Sequence, residues 1–258
     1  MRKFFLIILS VALFLVGFYF FWLSPKYTVP ILMYHNIGYE DGSSFVKPEN
    51  FNKQMEYIKG NGYTVITLDE LVAGIKNKSQ FKKNTVVITF DDGYKDNFVY
   101  AYPTLKKFGF PATIFVPSDL IGKEKALFSW NEARIMNRNE ISINSHTKTH
   151  LYLGYAQDTA ATRKEIAGSK KAIEQEIGAP AAYFCYPGGG FNEIVKKLVK
   201  EAGYKGACTT NRGSDRFNND IYELVRVKVT NSDMTKPFSF WVKLSGYYNL
   251  LRRIKNSN

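Results

Sequence analysis

The segment TVVITFDDG, Thr85–Gly93, runs through β-branched and aromatic residues without a polar break and then places two aspartates and a glycine together. A continuous apolar run of this kind is typical of a parallel strand that is covered on both faces. Similar runs recur on both sides of it, and they predict further strands at Val29–Tyr34, Tyr63–Ile66, Ala112–Val116, Ile141–Asn144, Ala181–Tyr186, Gly206–Thr209 and Val225–Val229.

Amphipathic stretches separate these runs. The predicted helices include Pro48–Lys59, Asp96–Phe108, Thr159–Ile177 and Asn192–Ala202, each followed by a glycine suited to a helix C-cap, namely Gly60, Gly109, Gly178 and Gly203. Strands that alternate with helices predict a parallel α/β fold. About seven or eight such units fit the chain, which favours a barrel over an open sheet.

Composition and length narrow the class of protein. The chain has 258 residues, of which 45% are hydrophobic, so one catalytic domain with a large core is expected and a disordered chain is excluded. Its net charge of +12 indicates an anionic partner, either nucleic acid, anionic lipid or a cell-wall polymer. Two cysteines are too few for a disulfide framework or a Cys-rich zinc site.

The N-terminal segment predicts the compartment. No charge occurs from Phe4 to Leu23, and at ~1.5 Å per residue such a run crosses a hydrocarbon core of about 30 Å. Arg2 and Lys3 precede it, so the positive-inside rule keeps the N-terminus cytoplasmic. We predict a single-pass cell-membrane protein, with residues 1–24 as the anchor and residues 25–258 as an extracellular catalytic domain. A cleaved signal peptide is the alternative, and with either one nucleic acid is excluded as the partner.

Polar residues collect where predicted strands end. These positions are His35, Asp91, Asp92, His146, His150 and the turn Pro187–Gly190. In parallel α/β barrels the carboxyl ends of the strands form the active-site face, so these separate segments are expected to converge.

Two of these segments carry the residue types of a catalytic metal site. His146 and His150 have the spacing of one helical turn, and two imidazoles with one carboxylate are a usual catalytic zinc set. No Glu lies between them, so the metalloprotease pattern is absent and the base must come from elsewhere. Asp91 and Asp92 point in different directions at a strand end, which allows one to bind a cation while the other faces substrate. A solvated Asp-Gly turn and hydrogen-bonded histidines remain the alternative at this point.

These residues also carry a resemblance. TFDDGY, Thr89–Tyr94, together with SHTKTH, Ser145–His150, resembles the first two motifs of the polysaccharide deacetylases, carbohydrate esterase family four, which share the NodB homology domain. CYPGG, Cys185–Gly189, matches the third motif in part. The resemblance implies a distorted parallel (β/α) barrel that hydrolyses N-acetyl groups of acetylated amino-sugar polysaccharides.

The same resemblance implies roles for individual residues. Asp92, His146 and His150 would bind a divalent metal, Zn²⁺, and Asp91 would be the general base. The residue type adds a further role, because a glycine allows close approach and a backbone N–H near Gly188 would stabilise the oxyanion. Tyr186, Pro187 and Arg226 complete the candidate oxyanion or substrate-binding residues.

The sequence also departs from the family pattern. Cys185 stands where the third motif usually has Arg, with Arg226 as the candidate replacement, and Gly188 stands where a Tyr usually follows the Pro. No histidine follows His150, so the late Leu-x-His motif is missing. MYHNI, Met33–Ile37, instead resembles permuted members that act on poly-N-acetylglucosamine, which makes His35 the expected leaving-group acid.

Two further functions stay open on the sequence. One is a catalytically weak barrel that binds glycan, which the departures in the third motif motivate. The other is a metal-dependent hydrolase of a different acetylated amide or ester.

Overall fold

The computed structural model describes residues 2–236, 238–253 and 255–256. Helix α1, Arg2–Gly17, continues through a π-helical segment, Phe18–Leu23, and a 3-10 turn, Ser24–Lys26. The stretch Lys3–Lys26 is long and apolar enough to cross a membrane, and none of its residues is buried against the domain. A signal sequence meets the same criteria, so the membrane anchor stays a prediction.

The domain is built on a parallel sheet. Its strands are β1 (Ile31–Tyr34), β4 (Thr64–Val65), β5 (Thr85–Asp91), β6 (Ala112–Val116), β7 (Ile141–Ser145), β8 (Tyr183–Cys185), β9 (Gly206–Cys208) and β10 (Val227–Lys228), and a separate short parallel pair is β2 (Asn36–Ile37) with β3 (Phe45–Val46). The spatial order is β10-β1-β5-β6-β7-β8-β9, with β4 paired to β5. All of these pairings are parallel, which confirms the predicted α/β architecture.

Helices connect the strands. They are α2 (Pro48–Gly60), α3 (Leu68–Lys76), α4 (Tyr102–Phe108), α5 (Trp130–Asn137), α6 (Ala160–Arg163), α7 (Ser169–Ile177), α8 (Glu193–Glu201), α9 (Ser239–Leu244) and α10 (Tyr248–Leu251). π-helical turns precede α4, at Asn97–Ala101, and α7, at Lys164–Gly168. Gly109 and Gly178 end their helices in the left-handed conformation, as predicted. The prediction for Gly60 is wrong, because α2 includes that residue and Asn61 follows as its cap.

The sheet curls so that its two ends approach each other. Cys208 of β9 forms a parallel bridge with Leu224, just before β10, and the Arg226 N–H donates to the Thr210 carbonyl at 2.8 Å. The segment 221–228 therefore lies between β9 and β1 and brings a late part of the chain beside β5.

Alternation along β5 decides which side chains reach the site. Val86, Ile88 and Phe90 belong to the apolar cluster that contains helix residues of α2, α4 and α5. Val87 belongs to a second cluster, which includes residues of β1, β6, β8 and β9. Because residues i, i+2 and i+4 share one face of a strand, Asp91 follows Val87 and Thr89 onto the inner face.

Candidate active site

The site lies at the carboxyl end of the parallel strands. Asp91 is the last residue of β5, and Asp92 directly after it has a φ of 72°. On the turn after β7, Thr147 has a φ of 65° and His150 a φ of 64°. Left-handed backbone is uncommon for residues other than glycine and is concentrated at functional sites. These conformations turn Asp92 and His150 toward each other.

Asp92, His146 and His150 form a compact set of potential ligands. Asp92 Oδ1 lies 3.1 Å from His150 Nε2 and 3.6 Å from His146 Nε2. The two imidazole rings meet edge to face with centroids 4.9 Å apart. One ligand atom from each residue lies within 4.8 Å of the others, a spacing that a single metal ion can bridge.

The chemistry of these donors fits a divalent transition metal. His146 Nδ1 is 2.7 Å from the Cys185 carbonyl oxygen, so that N–H donates and the Nε2 lone pair is directed to Asp92. Asp92 Oδ1 is buried and, apart from the two imidazole nitrogens, has no polar partner among the described residues. Burial lowers the pKa of His146, which keeps the ring neutral and able to bind metal. Two imidazoles and one carboxylate with an open position match a catalytic zinc site.

Asp91 is held by Arg226. The guanidinium donates through Nη1 to Asp91 Oδ1 at 2.7 Å and through Nη2 to Oδ2 at 2.6 Å. Thr89 Oγ1 accepts from Nη1 at 3.1 Å, and the Thr209 carbonyl accepts from Nε at 2.9 Å. Burial raises the pKa of Asp91, but the charge and hydrogen bonds of Arg226 outweigh it and leave that pKa well below its usual range. Asp91 is therefore ionised at neutral pH.

The pairing bears on two roles that the sequence suggested for Arg226, contact with substrate and replacement of the third-motif Arg. Arg226 is fully buried, so it does not present its guanidinium to substrate or to an oxyanion as predicted. Its position against Asp91 agrees with the expectation that it replaces the third-motif Arg. Cys185 lies beside the pair, with Sγ 3.0 Å from Arg226 Nη2. Burial raises the pKa of the Cys185 thiol, so the thiol adds no charge to the pair.

His35 reaches the same site from the start of the domain. Its Nε2 lies 3.8 Å from Asp91 Oδ2, and its side chain is 23% exposed. The Asn97 amide donates to the His35 carbonyl at 2.7 Å and so holds the loop after β1 in place. The early histidine is thus brought next to the aspartate pair, as the permuted pattern predicted.

The turn after β8 contributes less than predicted. Tyr186 is fully buried, its ring stacks on Phe191 with centroids 4.7 Å apart, and its hydroxyl donates to the Tyr222 carbonyl at 3.1 Å. The side chain of Tyr186 belongs to the core, so its ring is not available to stack on a sugar. Pro187 is also buried. Gly188 is exposed and has a φ of 60°, so it is the residue of this turn that can meet a ligand.

A cleft of about 420 Å³ opens beside the ligand set. Asp92 and His150 form one part of its wall, and Leu120 and Leu127 supply an apolar part. Tyr94 also lines it, and burial together with the Asp92 carboxylate raises the pKa of Tyr94 to about 12. The cleft therefore joins a polar metal-ligand corner to an apolar wall.

Glu165, in the π-helical turn before α7, supports the site although its residue type and position did not predict it. Its carboxylate accepts from the N–H of Lys148 at 2.9 Å, from the N–H of Thr149 at 3.0 Å and from the Thr149 hydroxyl at 3.1 Å. These bonds hold the turn that carries His146 and His150. The local sequence carries no signal for this role, since a Glu on an amphipathic helix is ordinarily solvated.

Comparisons with known proteins agree with this geometry. The family described as polysaccharide deacetylase matches residues 78–207. YxkH of Bacillus subtilis (strain 168), named as a candidate polysaccharide deacetylase, is 34% identical over 216 residues, covering 83% of this chain and 76% of that protein. The poly-beta-1,6-N-acetyl-D-glucosamine N-deacetylase of Staphylococcus aureus (strain MSSA476) is 24% identical over 208 residues, or 76% of this chain and 71% of that one.

Solved structures give the same result for the fold. The Streptococcus pyogenes deacetylase PplD, solved in complex with acetate, superposes with a TM-score of 0.74 at 26% identity, covering 88% of this chain and 98% of that one. The sequence match, the curled parallel sheet and the Asp and His residues at its carboxyl end thus agree. The chain belongs to the polysaccharide deacetylase family.

Proposed function

We propose that the protein is a metal-dependent hydrolase that removes N-acetyl groups from an acetylated amino-sugar polysaccharide. The observation that supports the proposal is that two groups of functional side chains lie next to each other at the carboxyl end of β5. One is the ligand set of Asp92, His146 and His150, and the other is the ionised Asp91 held by Arg226. The Staphylococcus aureus relative, named for poly-beta-1,6-N-acetyl-D-glucosamine, supports an amino-sugar polymer as substrate.

Asp92, His146 and His150 would hold the divalent ion, and their donor types favour Zn²⁺. Such an ion, when bound, polarises an acyl oxygen and lowers the pKa of water. The residues themselves would supply imidazole nitrogens and an ionised carboxylate. The lowered pKa of His146 and the hydrogen bond at its Nδ1 keep that ring neutral.

Proton transfer is assigned to Asp91 and His35. Arg226 fixes both oxygens of Asp91, so before reaction the carboxylate is ionised and held in one orientation. It would then take the proton of the attacking water and become the neutral acid. His35 would protonate the leaving nitrogen, because an amide anion is a poor leaving group. The exposed Gly188 offers a backbone N–H to the oxyanion.

The N-terminal helix gives the proposed location. We infer that it anchors the domain to the cell membrane, with the N-terminus cytoplasmic and the catalytic domain outside. The segment Ser24–Thr28 connects the N-terminal helix to the domain. It is tied to the domain by the Tyr27 hydroxyl, which donates to the Lys82 carbonyl at 3.0 Å, and by the Thr28 N–H, which donates to the Gly246 carbonyl at 2.9 Å. It enters β1 at its amino end, whereas the site lies at the carboxyl ends of the strands. The cleft therefore faces away from the bilayer, toward the polymer.

Cell fractionation tests this location. The intact chain should sediment with membranes, and external protease should degrade the domain in whole cells. A processed form in the medium that begins near Pro25 would instead show a cleaved signal peptide.

Acetate release tests the proposed reaction. The wild type should release acetate from N-acetylglucosamine oligomers and from an activated aryl acetate. Asp91→Asn should lower the rate by about 10²–10⁴-fold on both substrates, the usual contribution of a general base. His35→Ala should lose a similar factor on the glycan but recover on the aryl acetate, whose phenoxide leaves without an acid.

The outcomes separate the alternatives. Equal loss in His35→Ala on both substrates would contradict the leaving-group role of His35. Glycan binding without acetate release would identify a binding protein, and acetate release from the ester alone would identify a different hydrolase.

A further inference from the structure

Two tyrosines on the loop after His150 are exposed although the loop itself is firmly held. Tyr152 is 37% exposed and Tyr155 is 74% exposed. Their ring centroids lie 5.9 Å apart with the planes tilted by 55°. The two rings form one aromatic surface at the edge of the site.

Three contacts hold this loop. Leu153, between the tyrosines, is fully buried in an apolar cluster. The Leu151 N–H donates to Thr147 Oγ1 at 3.1 Å. The Asn192 amide donates to the carbonyls of Gly154 at 3.3 Å and Ala156 at 2.9 Å. The exposed rings are thus presented by a fixed backbone, which reduces the entropy lost when a ligand binds.

The Tyr152 ring lies across the glycine turn that follows β8. A Cβ on Gly190 would lie 2.2 Å from Tyr152 Cε2, and a Cβ on Gly188 would lie 3.4 Å from Cδ2. Residue 190 therefore has to be glycine for the ring to occupy this place. The ring therefore lies between the loop of the metal ligand His150 and Gly188, the residue proposed to meet the oxyanion.

The chemistry of this surface matches a sugar ring. A pyranose of the glucosamine type carries its polar groups around its rim and presents C–H groups on its faces, and these pack against the face of an aromatic ring. Tyrosine adds a hydroxyl at the edge, where it can reach the polar rim of the sugar.

We propose that Tyr152 and Tyr155 form a binding platform for a second sugar residue, next to the one that loses its acetyl group. This inference rests on the proposed function and deepens it, because it makes the protein selective for polymers over single sugars. Deacetylation would occur in the cleft at Asp92, while a neighbouring residue of the same chain stacks on Tyr152.

Chain-length dependence tests the platform. The full-length protein in detergent micelles, loaded with Zn²⁺, would be assayed on N-acetylglucosamine oligomers of one to six residues. In Tyr152→Leu the preference for the hexamer over the monomer, expressed as the ratio of the two kcat/KM values, should fall about tenfold, mainly through KM. Tyr152→Phe should retain most of the preference, because it keeps the ring. Trp241→Ala is the matched control, since Trp241 is 52% exposed on α9 and should leave the ratio unchanged.

Binding measured by calorimetry keeps the test independent of turnover. Hexamer affinity should fall about tenfold in Tyr152→Leu even if the wild type releases no acetate from glycan, an outcome that would reject the proposed reaction alone. An unchanged length preference and hexamer affinity in Tyr152→Leu would overturn the platform. So would equal losses in Trp241→Ala, or a wild type that does not bind the hexamer.

Discussion

Replacing Arg226 by Met would leave the Asp91 carboxylate buried without its counter-ion. Met fills much of the space of the aliphatic part of Arg but supplies none of the bonds to Asp91 Oδ1 and Oδ2, at 2.7 and 2.6 Å. The side chains of this pair are 0% and 3% exposed, so water does not replace the lost donors. Removing one partner of a buried ion pair costs about 3–5 kcal/mol of unfolding free energy. For a domain of this size the loss corresponds to a fall in Tm of roughly 6–20 °C.

The loss should depend on pH, with a sign that follows from the pKa of Asp91. In the wild type this pKa is depressed below its unfolded value of about 3.9, so the pair stabilises the fold above about pH 4 and the stabilisation is lost as pH falls through the folded pKa. In Arg226→Met burial is the largest remaining influence on Asp91 and raises its pKa, opposed only in part by the charges of His146 and His35. The variant then takes up a proton on Asp91 as pH falls. The difference in unfolding free energy between wild type and Arg226→Met should therefore be smaller at pH 5 than at pH 8.

Urea unfolding of residues 25–258 in the presence of a metal chelator measures this difference in unfolding free energy. This fragment is suitable because the apolar N-terminal helix that it lacks is not buried against the domain. Asp91→Asn combined with Arg226→Met should cost less than the sum of the single changes, since no charge is left unpaired. Arg134→Met is the control: Arg134 and Glu176 are 33% and 46% exposed, and such pairs contribute about 0–1 kcal/mol. A pH-independent deficit, or strict additivity in the double variant, would refute this account of the pair.

Three further predictions concern the ligand set and its support. His146→Ala should abolish stoichiometric Zn²⁺ binding, and elemental analysis that still finds one ion per chain would contradict the assigned ligands. Glu165→Gln should weaken Zn²⁺ about 10–100-fold in a competition titration, as expected when a residue that orients ligands is changed, whereas Glu174→Gln on the next turns of the same helical segment should not. Asp92 raises the pKa of His150, so protons compete better for that imidazole and Zn²⁺ affinity should fall more steeply between pH 8 and pH 6 than it does in His150→Asn; equal slopes would reject that reasoning.

The strand and helix pattern and the metal-ligand candidates could be predicted from the amino-acid sequence. The predicted strand Ala112–Val116 has the same bounds as β6, because a short, mostly apolar run rich in β-branched residues between turns is typical of a buried strand. His146 and His150, with one of the two neighbouring aspartates, were predicted as ligands from residue type and spacing, and the family resemblance assigned that role to Asp92. Their convergence followed from one rule, that parallel strands bring their carboxyl ends to one face. These inferences depend on local periodicity, which a single sequence contains.

The direction in which each of the other site side chains points depends on the three-dimensional fold and could not be predicted from the sequence. Arg226 and Asp91 are 135 residues apart in sequence, and they pair because residues 221–228 lie between β9 and β1 and both side chains point inward. Tyr186 follows a strand just as the functional residues do, yet the turn directs its ring into the core. Glu165 binds the ligand loop from a neighbouring helix. A shift of one residue in strand register would turn these side chains to the opposite face of the sheet, although the composition and the hydrophobic periodicity would be the same. These contacts therefore depend on the register and curvature of the sheet, which a local sequence pattern does not specify.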